Sequence, residues 1–329
     1  MNRTAAVRLL GVLLLTAVAI TAVLLALLPP SSPSPGTGAA GARGHEDGAV
    51  PAFTVRRLGE RDHELTVTSA ALGREGMVRV LLPEGWTPGS GPWPLLYLLN
   101  GCCQSDYAAW IGKGDAARLT SGYRAIVAVP EGGPVGFYSD WRDGPGWETF
   151  HLSEVMRILE RDYGAGDRRA VAGLSMGGFG AMSYAARHPG MFQAAASFSG
   201  VLHTRDGQGG VDWLLNRNGE DSAKLWGPPQ DPAWAAHNPA DLTGELREVR
   251  LFVSGGDGSP GPLDAPSTVP DEGEAALLRQ AVVFVERAKS AGAEVTVDFY
   301  GPGTHTWPYW RRGLERALPM LMGTIGATV

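Results

Sequence analysis

The chain has 329 residues, of which 44% are hydrophobic and 19% are charged. This composition is typical of a globular protein and excludes a largely disordered chain. The formal net charge is −6 and there is no run of lysine or arginine, which argues against a nucleic-acid partner.

The first 51 residues differ in composition from the rest of the chain. Arg3 and Arg8 precede a mostly apolar run, Leu9 to Leu28, and about twenty apolar residues are enough to cross a bilayer as a helix. Arginines on the amino side remain in the cytoplasm and direct the following chain outward. Residues 1–28 are therefore predicted to form an N-terminal membrane anchor, or alternatively a cleaved signal segment. Residues 29–51, rich in Pro, Gly and Ser, are predicted to be a flexible tether.

Residues 52–329 are predicted to form an α/β domain with a mostly parallel central sheet and helices on both faces, because strand-like and helix-like segments alternate. The predicted strands are His63–Ala71, Met77–Leu82, Leu95–Leu99, Ala125–Val129, Arg169–Leu174, Ala194–Ser199, Val249–Ser254 and Val295–Tyr300. The predicted helices are Glu148–Tyr163, Met176–Arg187, Glu272–Ala291 and Trp310–Met322. The early strands are candidates for antiparallel pairing, whereas the later ones are typical of crossover units.

The pattern Gly-x-Ser-x-Gly occurs at residues 173–177, where a predicted strand ends and a predicted helix begins. A nucleophile elbow needs this strand–turn–helix context, and glycines let the turn tighten and the helix approach the sheet. The bare pattern arises by chance in a glycine-rich chain, so the context carries the prediction. We therefore predict that Ser175 is a nucleophile, with an incidental serine in a glycine-rich turn as the alternative.

A nucleophilic serine needs a base and an acid that orients the base, which follow it in this chain order in α/β-hydrolases. His305 lies between the last predicted strand and the last predicted helix, where the fold places its base. Two carboxylates are candidates for the acid. Asp257 follows the strand Val249–Ser254, and its alternative role is only to shape a turn. Glu274 opens the next helix, where a carboxylate also complements the helix dipole.

Four separated motifs carry a resemblance to a known family. They are LLYLLNGCCQSDYAAW (95–110), GGPVGFYSDW with WETF (132–141 and 147–150), GLSMGG (173–178) and GTHTWPYW (303–310). These motifs resemble the esterase D family, and most closely its secreted branch, the mycobacterial mycolyltransferases of the antigen 85 complex. The resemblance implies the α/β-hydrolase fold and acyl transfer or ester hydrolysis through a Ser–acid–His triad. The mycolyltransferase pattern places the acid at Glu274, whereas the cytosolic esterase D pattern places it at Asp257.

The segment NGCCQSD (100–106) contains the only cysteines of the chain, Cys102 and Cys103. The resemblance implies that the backbone N–H groups of Cys102 and Met176 form the oxyanion hole. In an oxidising compartment the two cysteines either form a vicinal disulfide or remain as small apolar side chains, and both alternatives stay open. Two adjacent cysteines without a third are a poor metal site.

The same resemblance marks where substrate binding differs. The mycolyltransferases bind trehalose with an aspartate and an arginine in this loop, and Asn100 and Cys103 occupy those positions here. Trp307, two residues after the predicted base, matches the site tryptophan of the family.

We therefore expect an extracytoplasmic serine esterase or acyltransferase that acts on a small-molecule or lipid/sugar ester. Mycolyl-type transfer to a sugar acceptor is one alternative, and a non-catalytic anchored binding or adhesion protein is another. No metal and no organic cofactor is expected.

Overall fold

The computed structural model describes residues 50–103, 106–206 and 208–328. The strands are β1 Phe53–Gly59, β2 Asp62–Ser69, β3 Arg74–Leu81, β4 Trp93–Leu99, β5 Ile126–Pro130, β6 Ala165–Leu174, β7 Ala194–Phe198, β8 Arg250–Gly255 and β9 Val295–Phe299. The predicted anchor at residues 1–28, and all but the last two residues of the predicted tether, lie outside the described residues. Among the described residues, no helix combines the length and the apolar character needed to span a bilayer.

The α-helices of the described chain are α1 Ala109–Gly112, α2 Ala116–Thr120, α3 Trp147–Thr149, α4 Met156–Tyr163, α5 Met176–Arg187, α6 Gln208–Arg217, α7 Ser222–Trp226, α8 Ala233–Ala236, α9 Glu272–Ser290 and α10 Trp307–Thr324. A π-helical turn, Phe150–Val155, joins α3 to α4, and short 3₁₀ helices occupy Pro239–Asp241 and Thr243–Leu246. All four predicted helices are present, although the one predicted at 148–163 is divided by the π-helical turn.

The described strands form one sheet in the order β1-β2-β3-β5-β4-β6-β7-β8-β9. The pairs β1–β2, β2–β3 and β3–β5 are antiparallel. All pairs from β5 onward to β9 are parallel. The expectation of antiparallel early strands and parallel later strands is therefore confirmed. In parallel strands all carboxyl ends lie along one edge, where ligands bind in open α/β sheets.

Two hydrophobic cores cover the two faces of the sheet, because successive side chains of a strand point to opposite faces. In β4, Leu95, Tyr97 and Leu99 pack into one core, while Leu96 and Leu98 pack into the other. The first core includes side chains of α4, α5 and α9, and the second includes those of α10. Central parallel strands are thus apolar on both faces, which made them recognisable as apolar runs.

Strand β1 was not predicted. Six of its seven residues are exposed, including Val55 and Leu58, and it pairs only with β2 at the edge of the sheet. An edge strand with this exposure needs no buried apolar face, so its sequence lacks the alternation that marked the other strands.

The structure also predicts a pH dependence of stability. His151 is fully buried, with Nδ1 at 2.7 Å from the Tyr184 hydroxyl and Nε2 at 2.7 Å from the Glu131 carbonyl oxygen. Burial lowers the pKa of His151 from 6.5 to about 4, against the opposing effect of the Glu131 hydrogen bond. Between these two values the unfolded chain binds a proton that the folded chain does not, so stability falls as pH decreases through this window.

We expect the His151 contribution to lower the free energy of unfolding by about 2 kcal/mol between pH 7 and pH 5. Urea denaturation at both pH values measures the fall, and His151→Gln isolates it, because glutamine is an uncharged donor and acceptor that does not titrate. Equal falls for the variant and the wild-type chain would contradict this assignment.

Candidate active site

Four segments that carry the candidate site residues follow the carboxyl ends of parallel strands. Asn100 follows β4, Ser175 follows β6, Asp257 follows β8 and His305 follows β9. Because β4, β6, β7, β8 and β9 are consecutive in the sheet, these segments lie along one edge of the central sheet. The fold therefore collects residues that are up to 205 positions apart in sequence, from Asn100 to His305.

Ser175 occupies a tight turn between β6 and α5. Its backbone has φ 53° and ψ −120°, a conformation that a residue with a side chain rarely adopts. The Ser175 N–H donates to the Phe198 carbonyl at 2.9 Å, and its own carbonyl accepts from the Phe179 N–H at 3.1 Å. The strand, the turn and the helix predicted around this serine are all present.

Glycines on either side of Ser175 allow the close approach of backbone that this turn requires. A Cβ atom on Gly173 would lie 2.2 Å from the Gly177 carbonyl oxygen. A Cβ atom on Gly177 would lie 2.2 Å from the carbonyl oxygen of Leu99, at the end of β4. The start of α5 therefore packs directly against the backbone of β4, where the cysteine-containing loop begins.

Glu274 and His305 are joined by a side-chain hydrogen bond. His305 Nδ1 lies 2.7 Å from Glu274 Oε2, and the Glu274 carboxylate is fully buried. A buried carboxylate acts as an acceptor, so this contact assigns the proton to Nδ1 and leaves Nε2 of His305 free to accept a proton. His305 also packs edge-to-face on the ring of Trp310, with 4.8 Å between the ring centroids.

Asp257 makes different contacts. Its side chain is exposed, and Oδ1 accepts from the Ser259 backbone N–H at 2.8 Å. Its own backbone N–H donates to the Gly301 carbonyl at 2.8 Å. These contacts are those of a turn-forming aspartate. The structure therefore brings Glu274, and not Asp257, into contact with the imidazole.

Two residues that sequence reasoning missed hold the second oxygen of Glu274. The Ser199 hydroxyl donates to Glu274 Oε1 at 2.7 Å, and the Gly256 backbone N–H donates to the same atom at 2.8 Å. Ser199 is in turn 3.3 Å from the indole nitrogen of Trp310. Burying a carboxylate is costly unless its oxygens are hydrogen-bonded, and these donors meet that need. No local pattern in the sequence identified either donor.

Cys102 and Cys103 form a vicinal disulfide in the loop after β4. Cys102 is partly buried against the hydrophobic core, whereas Cys103 is exposed and has φ 66°. The Cys103 N–H donates to the Pro134 carbonyl at 2.7 Å, and its Sγ is 3.6 Å from the Asn218 side-chain nitrogen. Of the two expected alternatives for the cysteines, the structure has the disulfide.

Met176, the other expected backbone donor, is the first residue of α5. The first N–H groups of a helix have no partner within the helix and point outward from its N-terminus. The Met176 N–H therefore belongs to a group of backbone donors immediately after Ser175.

Asn100 is buried, with an exposed fraction of 7%, and its hydrogen bonds stabilise the loop after β4. Its Nδ2 donates to the Tyr107 carbonyl at 2.7 Å, and its own carbonyl accepts from the Tyr138 hydroxyl at 2.8 Å. Its Oδ1 is buried without a hydrogen-bond partner among the described residues. The Nδ2 of Asn100 thus has a structural role, while its Oδ1 is available to accept a hydrogen bond from a ligand.

Trp307 is the first residue of α10 and is partly buried. Its ring packs edge-to-face against Trp110 and Trp310, with ring centroids 5.4 and 5.3 Å apart. Its indole N–H is buried with no hydrogen-bond partner among the described residues. Throughout residues 50–103, 106–206 and 208–328, no group of three or more His, Cys, Asp or Glu side chains is arranged to hold a metal ion.

This chain is similar to known proteins over most of its length. Residues 69–321 match the family described as putative esterase. Diacylglycerol acyltransferase/mycolyltransferase Ag85A of Mycobacterium ulcerans is 32% identical over 303 residues, covering 87% of this chain and 88% of that protein. Ag85B of Mycobacterium avium is 32% identical over 299 residues, covering 85% and 88%.

Solved structures share the fold. MPT51 of Mycobacterium tuberculosis superposes with a TM-score of 0.70 at 27% identity, covering 83% of this chain and 100% of that one. An S-formylglutathione hydrolase from Agrobacterium tumefaciens superposes with a TM-score of 0.66 at 18% identity, covering 83% and 99%. The second likeness concerns the fold alone. Together they confirm the predicted α/β-hydrolase fold.

Proposed function

We propose that this chain, which belongs to the esterase family that it matches over residues 69–321, acts through a triad of Ser175, His305 and Glu274. We also propose that it acts outside the cytoplasm. The resemblance predicted from the four motifs is confirmed, and the chain is an enzyme of the serine hydrolase or acyltransferase class. The observation that carries the triad is the 2.7 Å contact between His305 Nδ1 and the buried Glu274 carboxylate.

The proposed reaction begins with attack of the Ser175 hydroxyl on an ester carbonyl. His305 Nε2 takes the hydroxyl proton as the new C–O bond forms, and then delivers it to the departing alkoxide. The Glu274 carboxylate holds the imidazole by Nδ1 and stabilises the imidazolium that forms in between. Ser199 and Gly256 keep that carboxylate in place through its other oxygen.

The tetrahedral intermediate carries a negative oxygen that needs backbone donors. We assign these to the N–H groups of Met176, at the N-terminus of α5, and of Cys102, in the loop after β4. The N–H of Cys103 already donates to the Pro134 carbonyl, which supports Cys102 as the donor from this loop. Tight packing of Gly177 on Leu99 brings the two segments together.

The acyl group is then released to water or to an acceptor hydroxyl. Relatives named as mycolyltransferases support transfer to a hydroxyl acceptor. Asn100 and Cys103 replace the aspartate and arginine that the family uses for trehalose, which supports a different acceptor or water. Trp307 and Asn100 each have a buried polar atom that bonds to no other described residue, and we propose both as substrate-binding residues.

The proposed location outside the cytoplasm is supported by two features. The Cys102–Cys103 disulfide fits an oxidising compartment, since cytoplasmic thiols are generally kept reduced. Residues 1–28 have the composition of a membrane anchor or signal segment.

The experiment for the function combines a short-chain p-nitrophenyl ester with a fluorophosphonate probe. We expect ester turnover and covalent labelling at Ser175, located by mass spectrometry of the labelled peptide. Adding trehalose and a lipid acyl donor then distinguishes transfer from hydrolysis by the product formed. Absence of both turnover and labelling would contradict the proposed activity.

The disulfide leads to a further prediction. It restrains the peptide between Cys102 and Cys103, so its reduction by a dithiol to two thiols should loosen the loop that carries the Cys102 N–H. Loss of one oxyanion donor costs about 10²- to 10³-fold in rate, and partial misplacement costs less. We expect a mild dithiol reductant to lower kcat by up to about tenfold.

The matched control is the double variant Cys102→Ser, Cys103→Ser, which keeps both backbone N–H groups. It should show the lower kcat with and without reductant, while alkylation and intact mass report the thiol state of the wild-type chain. Full reduction without any change in kcat would show that the disulfide does not support the oxyanion hole.

A further inference from the structure

Asp271 immediately precedes α9 and contacts the backbone of two residues of the proposed triad. Its Oδ1 accepts from the Glu274 backbone N–H at 3.0 Å. Its Oδ2 accepts from the His305 backbone N–H at 3.1 Å. One carboxylate therefore links the segment that carries the acid to the segment that carries the base, 34 positions away.

We propose that Asp271 is a positioning residue, whose carboxylate fixes the backbones of Glu274 and His305 relative to one another. With both backbones fixed, His305 Nδ1 and Glu274 Oε2 are already positioned for their 2.7 Å hydrogen bond. This inference rests on the proposed function, because it assigns Asp271 a role in the same triad.

An ordinary helix cap does not account for these contacts. A capping residue needs one side-chain oxygen to accept from the N–H of the second or third helical residue. Asp221 does this at α7, where one oxygen accepts from the Ala223 N–H at 2.9 Å. Asp271 uses its first oxygen in this way, while its second oxygen reaches a residue beyond β9. The second contact adds nothing to the capping of α9.

Glu274 also departs from the usual capping arrangement. In a capping box the glutamate three residues after the cap reaches back to the backbone N–H of the capping residue. Here the Asp271 N–H donates instead to the Gly258 carbonyl at 2.7 Å. The Glu274 side chain is thereby free to turn toward His305 and Ser199. The local pattern D-x-x-E is present, but its glutamate, Glu274, bonds to His305 in the site and not to the capping residue.

Asp271 is itself held by the loop after β8. The Gly258 carbonyl accepts its N–H, and the Gly258 N–H donates to the Gly303 carbonyl at 3.1 Å. Gly258 has φ +83°, and a Cβ atom there would lie 2.2 Å from the Asp271 carbonyl oxygen. The loop after β8, the start of α9 and the loop after β9 are thus connected around Asp271.

The test uses variants that keep the helix cap and lose the link. Serine and asparagine are both good capping residues, but Asp271→Ser and Asp271→Asn each leave one of the two N–H groups without its acceptor. We expect kcat for a p-nitrophenyl ester to fall about 10- to 100-fold, since a displacement of about 1 Å has effects of this size. KM should change by less than about threefold, because substrate contacts are not altered.

Asp221→Ser is the matched control, since it changes an aspartate whose carboxylate caps α7 through the Ala223 N–H and is not bonded to Glu274 or His305. We expect it to retain wild-type kcat. Circular dichroism and thermal unfolding of all variants establish that each is folded, and fluorophosphonate labelling should be slower in the Asp271 variants in proportion to their kcat.

A double-mutant cycle separates positioning from general loss of structure. If Asp271 acts through the acid–base pair, Asp271→Ser should cost less than about threefold in the Glu274→Gln background, because residues that act as a unit are not additive. Equal losses in both backgrounds would overturn the inference. Unchanged kcat in Asp271→Ser, with Glu274→Gln impaired, would also overturn it and leave the triad intact. Unchanged kcat in both variants would instead reject Glu274 as the acid, and with it the inference.

Discussion

Replacing Ser175 by alanine should abolish ester hydrolysis and fluorophosphonate labelling together while the fold is retained. Loss of the nucleophile of a triad costs about 10⁴- to 10⁶-fold in kcat, because the remaining groups can only bind and polarise the substrate. Alanine and serine both carry a Cβ atom, so the φ 53° backbone is equally strained for either residue and the turn should keep its conformation. Kinetics with a p-nitrophenyl ester and gel-based labelling measure the two losses.

Ser183→Ala is the matched control for this variant. Ser183 lies on the same helix, α5, and its hydroxyl is buried without a hydrogen-bond partner among the described residues. We expect this variant to keep both activity and labelling. Activity of Ser175→Ala within tenfold of the wild-type rate would reject Ser175 as the nucleophile.

The second large effect is expected at the acid. Glu274→Gln should lower kcat by about 10²- to 10⁴-fold, because an amide cannot stabilise the imidazolium and does not select the same tautomer of His305. KM should remain nearly unchanged, since this charge develops only in the transition state. The comparison is Asp257→Asn, which alters an exposed carboxylate bonded to the Ser259 N–H and should cost little.

Steady-state kinetics on both variants give the ranking directly. A large loss in Asp257→Asn with little effect of Glu274→Gln would transfer the role to Asp257. That result would also require the loop after β8 to rearrange, because in this structure Asp257 is exposed and bonded to the Ser259 N–H, while the imidazole is bonded to Glu274.

Much of the sheet was predictable from local patterns. The eight predicted strands correspond to β2 through β9 with small differences at their ends. The buried parts of strands β4 to β8 are continuous apolar runs, and the antiparallel strand β2 alternates buried and partly exposed residues, so both patterns were visible in the sequence. The exposed edge strand β1 carried no such signal. Short helices between β7 and β8, such as α7 and α8, were also missed, since four or five residues are too few to establish a helical period.

The choice between the two acids was not accessible to local reasoning. Asp257 and Glu274 both follow β8 in sequence, and both have ordinary structural explanations. The decision depends on how the loop after β8 and the start of α9 fold against the loop after β9. Ser199, at the end of β7, contributes a donor to Glu274 from 75 positions away, which no pattern near the glutamate encodes.

The sequence by itself determined the class of fold, the turn at Ser175 and the candidate base, because strand periodicity and the Gly-x-Ser-x-Gly turn are local in the chain. Only the tertiary structure decided which carboxylate meets His305, and that Asp271 joins the acid and base segments. It also decided the bonding of Cys102 to Cys103, which depends on the backbone conformation of a loop held by Pro134. The contacts of His305 with Glu274 and Asp271, and of Cys103 with Pro134, join segments far apart in sequence. Their geometry exists only after the sheet has brought the strand ends together.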